Sequence, residues 1–328
     1  MTDSRSLDSA AACFERPRPV LIVTHTRPDG DAVGSLYGLA LALSRSGRPC
    51  RAFLSETVPE LYGRCLPETP VVSVGSLPAG PRPEVLVCLD TARADRADLP
   101  DGLRLSDFET VINIDHHGDN PRFGTRVWID SDSAATAQML LKLLQRCGLA
   151  VDEDVATCLL VGVVTDTGGF RFPNTDSSVL RDTAVLIDAG ARYDRVMDGL
   201  YFRTSYGRRM LEGELLRRAE FAFDGQLIYS VLEPALLERL AVNRQETEGV
   251  IDSLRSLDGV EIACLIQPED HAVRLSLRSR SERHPVKPIA TELGGGGHPL
   301  AAGARLENTT VADVTEHLLR LVRKVLDS

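Results

Sequence analysis

At 328 residues the chain is roughly twice the ~150-residue domain prior and, with 43% apolar residues, can bury two cores. No stretch approaches the ~18 consecutive apolar residues of a membrane span, and residues 1–19 carry Asp3, Asp8 and Glu15 where a secretory leader is apolar, so a cytoplasmic chain without membrane partners is expected. Its 37 basic and 47 acidic residues leave a net charge of −10, which excludes the basic footprint needed to grip long nucleic acid but admits short anionic substrates; bound cations would cancel part of the excess.

The first apolar run, 20–23, reads as a strand and hands over to Thr24-His25-Thr26-Arg27-Pro28-Asp29-Gly30-Asp31. An Asx-type turn with Asp31 as helix N-cap accounts for the aspartates without any ion, but it leaves His25 over. Residues 34–46 have the period of a helix, with Leu36, Leu39, Ala40 and Leu43 on one face. A strand at 85–89 stops on Asp90, which alone could be a turn former. A third at 111–114 stops on Asp115-His116-His117, and two adjacent imidazoles beside a carboxylate are costly to bury without partners. A helix is expected over 134–147, closed by Gly148. Residues 156–164 are almost continuously apolar, so periodicity leaves strand and helix open; Asp166 follows in Thr165-Asp166-Thr167-Gly168-Gly169. A further helix, 182–189, stops at Gly190.

Strands alternating with helices indicate an α/β fold, a mostly parallel sheet flanked by helices. In such sheets ligands bind beyond the carboxyl ends of the strands, which brings His25, Asp90 and Asp115 to one edge. The seven cysteines are odd in number, scattered and never spaced as C-x-x-C, which argues against a disulfide framework and a thiolate zinc site; Cys88, inside a strand, is expected in the core.

From about 192 to 218 the chain is charged and helical, with Arg203, Arg208, Arg209, Arg217 and Arg218, and reads as a helical linker. Strand patterns return at 227–232, 260–266 and 272–277, and a helix at 311–326 ends the chain: a smaller α+β domain. Arg274, Arg278, Arg280, Arg283 and Lys287, opposed only by Glu282, could face a phosphate. Gly294 to Gly297 let backbone amides approach an anion closely, with His298 as a directional donor; a glycine run alone would more often be a flexible loop.

Together the four segments around His25, Asp90, Asp115 and Asp166 resemble, in order and residue type, the four motifs of the DHH phosphoesterase superfamily. Residues 294–303, Gly-Gly-Gly-Gly-His-Pro-Leu-Ala-Ala-Gly, resemble the glycine-rich signature of the DHH-associated substrate domain, and Ser276-Leu277-Arg278-Ser279 its Arg-Ser strand. The resemblance covers nearly the whole chain and divides it into a catalytic metal-binding domain (1–190), the linker (191–220) and the substrate domain (221–328). Its size and Thr-Asp-Thr-Gly-Gly-Phe-Arg-Phe at 165–172 look like the nano-RNase and pAp-phosphatase branch, which also holds cyclic-dinucleotide phosphodiesterases. One departure is the segment 282–288, Glu-Arg-His-Pro-Val-Lys-Pro, where the family has a plainer lead into a helix.

The resemblance implies two Mn²⁺ ions, with Mg²⁺ as second choice for this oxygen-rich, thiolate-free set. His25, Asp29 and Asp90 would hold one ion, and Asp31, Asp90, His116 and Asp166 the other, with attack on phosphorus by a metal-activated hydroxide. His117 would act as donor to a substrate oxygen and Asp115 would orient a metal ligand, while Arg171 would contribute from the first domain. Arg278, Ser279, Gly295, Gly296, Gly297 and His298 would hold the phosphate from the second. The implied activity is hydrolysis of short oligoribonucleotides, pAp, or cyclic dinucleotides such as c-di-AMP and linear pApA to mononucleotides; a homodimer is allowed. The alternatives are an inorganic pyrophosphatase or polyphosphatase, which resemble a different second domain, and a non-catalytic nucleotide sensor, although every ligand position is retained.

Overall fold

Short runs of apolar, mostly β-branched residues build the sheet of the first unit: β1 (Val20–Val23), β2 (Cys50–Leu54), β3 (Val72–Val74), β4 (Val85–Leu89), β5 (Thr110–Asp115) and β6 (Arg126–Ile129). The computed structural model describes residues 4–69, 71–77, 80–247 and 249–327, and the chain divides into two units, Met1–Arg203 and Thr204–Ser328. The strand order is β3-β2-β1-β4-β5-β6 with every neighbouring pair parallel. Strands β1 and β4 are buried at every residue, as parallel strands covered on both faces must be. The order reverses between β1 and β4, the switch point at which a doubly wound sheet opens a crevice.

The helices of this unit are α1 (Ser4–Ala11), α2 (Gly30–Arg45), α3 (Glu60–Gly63), α4 (Thr136–Arg146), α5 (Glu153–Asp166), α6 (Ser177–Asp188) and α7 (Tyr193–Met197). Leu36, Leu39 and Leu43 of α2, with α4 and α5, pack on Ile22, Val87, Leu89 and Ile112. Leu21, Val23, Leu86 and Cys88 point to the opposite face, where Leu99, Leu103 and Leu105 from loops and 3₁₀ turns meet them. All seven cysteines are free thiols.

Helix α2 starts at Gly30, four residues before the apolar periodicity suggests, because Asp29 caps it by accepting Ala32 N–H at 3.1 Å. The cap is therefore Asp29; Asp31, expected in that role, lies in the first turn. The ambiguous segment 156–164 is the buried body of α5. Asp152 decides it by capping the helix through Asp154 N–H and Val155 N–H, with Glu153 and Asp154 in the first turn to complement the helix dipole.

Two glycines let α2 and α5 approach closely. A Cβ on Gly34 would lie 2.4 Å from the Cys158 carbonyl oxygen, and one on Gly162 would lie 2.5 Å from Asp31 Oδ1 and 2.6 Å from Ala137 Cβ. That approach brings the start of α2 beside the end of α5, so Asp31 and Asp166 share one space.

The charged stretch 191–220 is helical as expected but divided between the units. Helix α7 and the π-helical turn Asp198–Phe202 fall in the first, and α8 (Tyr206–Arg218) in the second. The second unit adds β7 (Glu220–Ala222), β8 (Leu227–Val231), α9 (Pro234–Leu240), α10 (Ile251–Arg255), β9 (Ile262–Glu269), β10 (Ala272–Ser279), α11 (Lys287–Glu292), β11 (Gly296–Gly297), β12 (Ala301–Glu307) and α12 (Val311–Leu326). Its sheet runs β11-β12-β10-β9-β8-β7, antiparallel except for the β8–β9 pair. Alternate residues face opposite layers: Ile262, Cys264 and Ile266 meet α11 and α12, whereas Ala263 and Leu265 meet α8, α9 and α10. Part of the glycine run is ordered, since Gly296 pairs with Gly303 and Gly297 with Ala302. Among the described residues no helix is long and apolar enough to cross a membrane.

The space around two helical glycines, one in the α2–α5 contact and one on α8, predicts opposite signs for their replacement. Gly162→Ala should lower stability by ~1–3 kcal/mol through overpacking. Gly213→Ala, on α8 with nothing within 4 Å of the added Cβ, should raise it by about 0.5–1 kcal/mol by removing backbone freedom from the unfolded chain. Thermal and urea melts of the two variants read both signs.

Candidate metal centre

Every acidic or imidazole residue singled out in the first unit lies where a strand or helix meets the crevice. His25 follows β1, Asp29 caps α2, Asp31 lies in its first turn, Asp90 follows β4, Asp115 ends β5 with His116 and His117 behind it, and Asp166 ends α5. Asp90 takes a left-handed backbone, φ +50°, while its N–H donates to Ile114 O at 3.0 Å. An L-residue pays ~1–2 kcal/mol for that conformation. It turns the side chain across the switch point instead of along the strand.

The two carboxylate oxygens of Asp90 face different imidazoles. Oδ2 lies 3.6 Å from His25 Nε2, which is also 3.9 Å from Asp29 Oδ1; Oδ1 lies 3.6 Å from His116 Nε2. His116 Nε2 is in turn 3.1 Å from Asp166 Oδ2 and 4.0 Å from Asp31 Oδ2. His25, Asp29 and Asp90 thus form one group, and Asp31, His116 and Asp166 another, each with ligand atoms within 4.8 Å of one another; Asp90, His116 and His117 form a third, overlapping group. Ligand bonds of about 2.0–2.2 Å put neighbouring donors roughly 3 Å apart and opposite ones roughly 4.2 Å apart, so the spacings suit divalent cations.

Partners on the far side of each ring set the tautomers. His25 Nδ1 donates to Thr26 O at 3.0 Å and His116 Nδ1 to Ser133 O at 3.3 Å. A carbonyl can only accept, so Nδ1 carries a proton, and Nε2, which faces the carboxylates, is the atom left to ligate a cation. Asp31 is held as firmly, accepting Thr136 N–H at 2.6 Å, Ala137 N–H at 2.9 Å and Ser35 Oγ–H at 3.2 Å. Helix α4 has no capping side chain of its own, so Asp31 satisfies its first amides from across the crevice. Thr136 Oγ1 donates to Asp90 Oδ1 at 3.2 Å.

The electrostatics follow from crowding. Burial, then the neighbouring charges of Asp90 and Asp166, push the carboxyl of Asp31 well above the usual range. Burial opposes charge on His25, but its hydrogen bond to Asp90 and the charges of Asp29 and Asp90 outweigh that and raise it to about 9. Burial likewise opposes charge on His116, and Asp166, Asp90 and Asp31 raise it. Burial works against the charge of Asp90 too, yet His25, His117 and His116 hold its carboxyl below the ordinary value. In the chain by itself, protons on the imidazoles offset only part of the carboxylate charge, and divalent cations would answer the rest.

Asp115, expected to orient a metal ligand, is fully buried and holds His117, a member of the third group, rather than His116. Its Oδ1 accepts from His117 Nδ1 at 2.6 Å, and the ring expected as a ligand, His116, is oriented by Ser133 instead. The reason is geometric: Asp115 closes β5 two residues before His117, and the intervening ring turns the other way. Arg171 is exposed, donates from Nε to Gly168 O at 2.5 Å and stacks 5.2 Å over the Tyr201 ring. Of the residues expected to bind phosphate in the second unit, Gly295, Gly296, Gly297 and His298 are exposed and Arg278 is half-buried. Ser279 is buried, and its hydroxyl donates to Ser281 O at 2.8 Å. Sequence reasoning missed Ser133, Thr136, Asn113 and Asn120. The signals were an Asp-Ser-Asp-Ser run after β6 and, for Asn113, an amide inside an otherwise apolar strand.

Residues 19–163 match the DHH family, N-terminal domain, and residues 224–328 the DHHA1 domain. The bifunctional oligoribonuclease and PAP phosphatase NrnA of Thermus thermophilus is 37% identical over 311 residues, 94% of this chain and 90% of that protein. The protein of the same name from Bacillus subtilis is 27% identical over 307 residues, 90% and 91% of the two chains. The crystal structure of an exopolyphosphatase-related protein from Bacteroides fragilis has the same fold, with a TM-score of 0.87 at 22% identity over 99% of this chain and 98% of that one. Two domain families matched in order, and a relative at 37% identity along nearly the full length, establish that the chain belongs to the DHH family of phosphoesterases, hydrolases of phosphate esters, with a DHHA1 domain at its C-terminal end.

Proposed function

We propose that this enzyme hydrolyses very short oligoribonucleotides and pAp, and accepts linear or cyclic dinucleotides such as pApA and c-di-AMP, with two Mn²⁺ ions, replaceable by Mg²⁺, held by the switch-point cluster. The observation that carries this reading is the sharing of Asp90, one oxygen toward His25 and Asp29 and the other toward His116, Asp31 and Asp166. Two cations there would supply an activated water and neutralise charge growing on phosphorus. The names of the 37% and 27% identical relatives, oligoribonuclease and PAP phosphatase, support the substrate class.

The side chains do the rest. His25, Asp29, Asp31, Asp90, His116 and Asp166 are the ligands, with both histidines oriented through Nδ1. His117, held by Asp115, presents Nε2 to the leaving oxygen and returns a proton to it as the phosphorus–oxygen bond breaks. Arg278, Gly296, Gly297 and His298 are assigned to the substrate phosphate; Gly295, whose N–H donates to Ala290 O at 2.8 Å, contributes by letting the backbone of the run lie close to it. Ser279, whose hydroxyl is already engaged, acts by holding the Ser279–Ser281 turn. The net charge of −10 argues against a long basic track and so favours substrates a few nucleotides long. A pyrophosphatase is disfavoured by the DHHA1 match over residues 224–328.

Three outcomes test the reading. Chromatography of products from pApA, pAp and c-di-AMP should show mononucleotide released in Mn²⁺ and none in EDTA; full turnover in EDTA would refute it. Asp90→Asn should cut turnover by on the order of 10³-fold, several kcal/mol of barrier, and abolish binding of a second ion in calorimetry. Mn²⁺ at a hundred times its dissociation constant should stabilise the native enzyme by about 2.7 kcal/mol per bound ion, seen as a rise in melting midpoint that is smaller in Asp90→Asn.

A further inference from the structure

We propose that Asn120 is a positioning residue for this reaction: it fixes the Asp115 carboxylate that grips His117 by Nδ1, so that the ring is held with Nε2 toward the substrate. The inference rests on the phosphoesterase reading only for its kinetic arm.

The direction of every hydrogen bond in the network is forced from two backbone ends. Arg122 N–H can only donate, and it lies 2.7 Å from Asn120 Oδ1, so the Asn120 amide must turn its Nδ2 the other way. Nδ2 then donates to Asp115 Oδ2 at 2.6 Å and to Asn113 Oδ1 at 2.9 Å. Asn113 is oriented independently, because its own Nδ2 donates to Thr91 O at 3.0 Å, which can only accept. With both amides fixed, Asp115 Oδ2 is an acceptor, Oδ1 is left for His117 Nδ1 at 2.6 Å, and the carboxylate carries no proton on the atom facing Asn120.

Burial makes this network decisive. Asn113 and Asp115 are fully buried and Asn120 is 8% exposed, so water does not compete for these groups, and a donor lost here goes unreplaced. The backbone is bent to supply one end of it. Pro121 follows Asn120, and Arg122 sits at φ +65°, a left-handed conformation that costs an L-residue ~1–2 kcal/mol and closes an Asx turn onto Asn120. An asparagine that merely filled core space would need no such turn, and no chain of amides ending on the atom group that holds His117.

The step it serves balances as follows. A water oxygen bonds to phosphorus, the bond from phosphorus to the ribose oxygen breaks, that oxygen takes the proton from His117 Nε2, and the proton lost by the water replenishes Nε2 through solvent. A poor leaving group such as a ribose alkoxide needs this proton; a nitrophenolate does not.

Two measurements on the full chain decide it, spectra with diamagnetic Mg²⁺ bound and kinetics with Mn²⁺. In ¹H–¹⁵N histidine spectra, with His117 identified through His117→Ala, the wild-type His117 Nδ1–H should give a protected, strongly downfield signal from its short hydrogen bond to Asp115, and Asn120→Ala should move that signal upfield or broaden it by exchange with water. In kinetics, Asn120→Ala should lose on the order of a hundredfold in kcat on pApA while bis-p-nitrophenyl phosphate is cleaved nearly as before, and combining it with His117→Ala should bring no further loss on pApA. Asn120→Asp, which keeps the side-chain volume but sets a carboxylate against Asp115, should show the same bias and carries the test if the alanine variant melts early. An unmoved ring signal, or equal losses on the two esters, overturns the proposal. A wild-type enzyme inactive on both esters sinks the phosphoesterase reading, and the ring spectra still decide the role of Asn120.

Discussion

The crowding of carboxylates around Asp90 is the constraint that organises the first unit. Asp31 is fully buried and Asp90 is 2% exposed, and such groups are costly to ionise away from water unless something answers their charge. The fold answers in two ways. The N-terminal amides of α4 point at Asp31, and the imidazoles of His25 and His116 point their Nε2 atoms at Asp90. Each answer is partial, which is why Asp31 and Asp90 are displaced in opposite directions. A cluster left with this much unbalanced charge is what a resident cation would complete, and it is a poor device for stability alone.

Precision at that cluster comes from parts of the chain with little polar character. Gly34 and Gly162 set the distance between α2 and α5, and with it the distance between Asp31 and Asp166. Asp90 is held off the strand direction by a left-handed backbone that β5 pins through Ile114 O. All six proposed ligands sit within two residues of a helix or strand end. Ligands placed on rigid ends hold their geometry better than ligands on free loops.

The legibility of this architecture in the sequence follows its physical origins. Strands β1, β4 and β5 are continuous apolar runs that stop abruptly on charge, so their existence and shared edge could be read directly, as could α12, whose apolar period and end residues agree with the structure. Helix α5 could not, because a helix buried all round has no polar face to betray its period; only Asp152-Glu153-Asp154 carried the information. The choice of cap between Asp29 and Asp31 was invisible for a related reason. Both suit the role locally, and it is α4, more than a hundred residues away in the chain, that claims Asp31. The supports of the imidazoles were the least legible, since Ser133 acts through a carbonyl oxygen that any residue possesses.

The two histidines of the Asp115-His116-His117 triplet are adjacent in sequence and yet are built for different work. His116 gives its Nδ1 proton to a neutral carbonyl, so its Nε2 is a plain lone-pair donor aimed at three carboxylates. His117 gives its Nδ1 proton to a carboxylate, itself fed by the Asn120 amide, a pairing that raises the basicity of the ring and favours holding a proton for exchange. The rings stand edge to face, 65° apart with centroids at 4.8 Å, and both keep a nitrogen 3.6 Å from Asp90 Oδ1, His116 through Nε2 and His117 through Nδ1. Their buried partners, and not the histidines themselves, are what would separate the proposed ligand from the proposed proton donor.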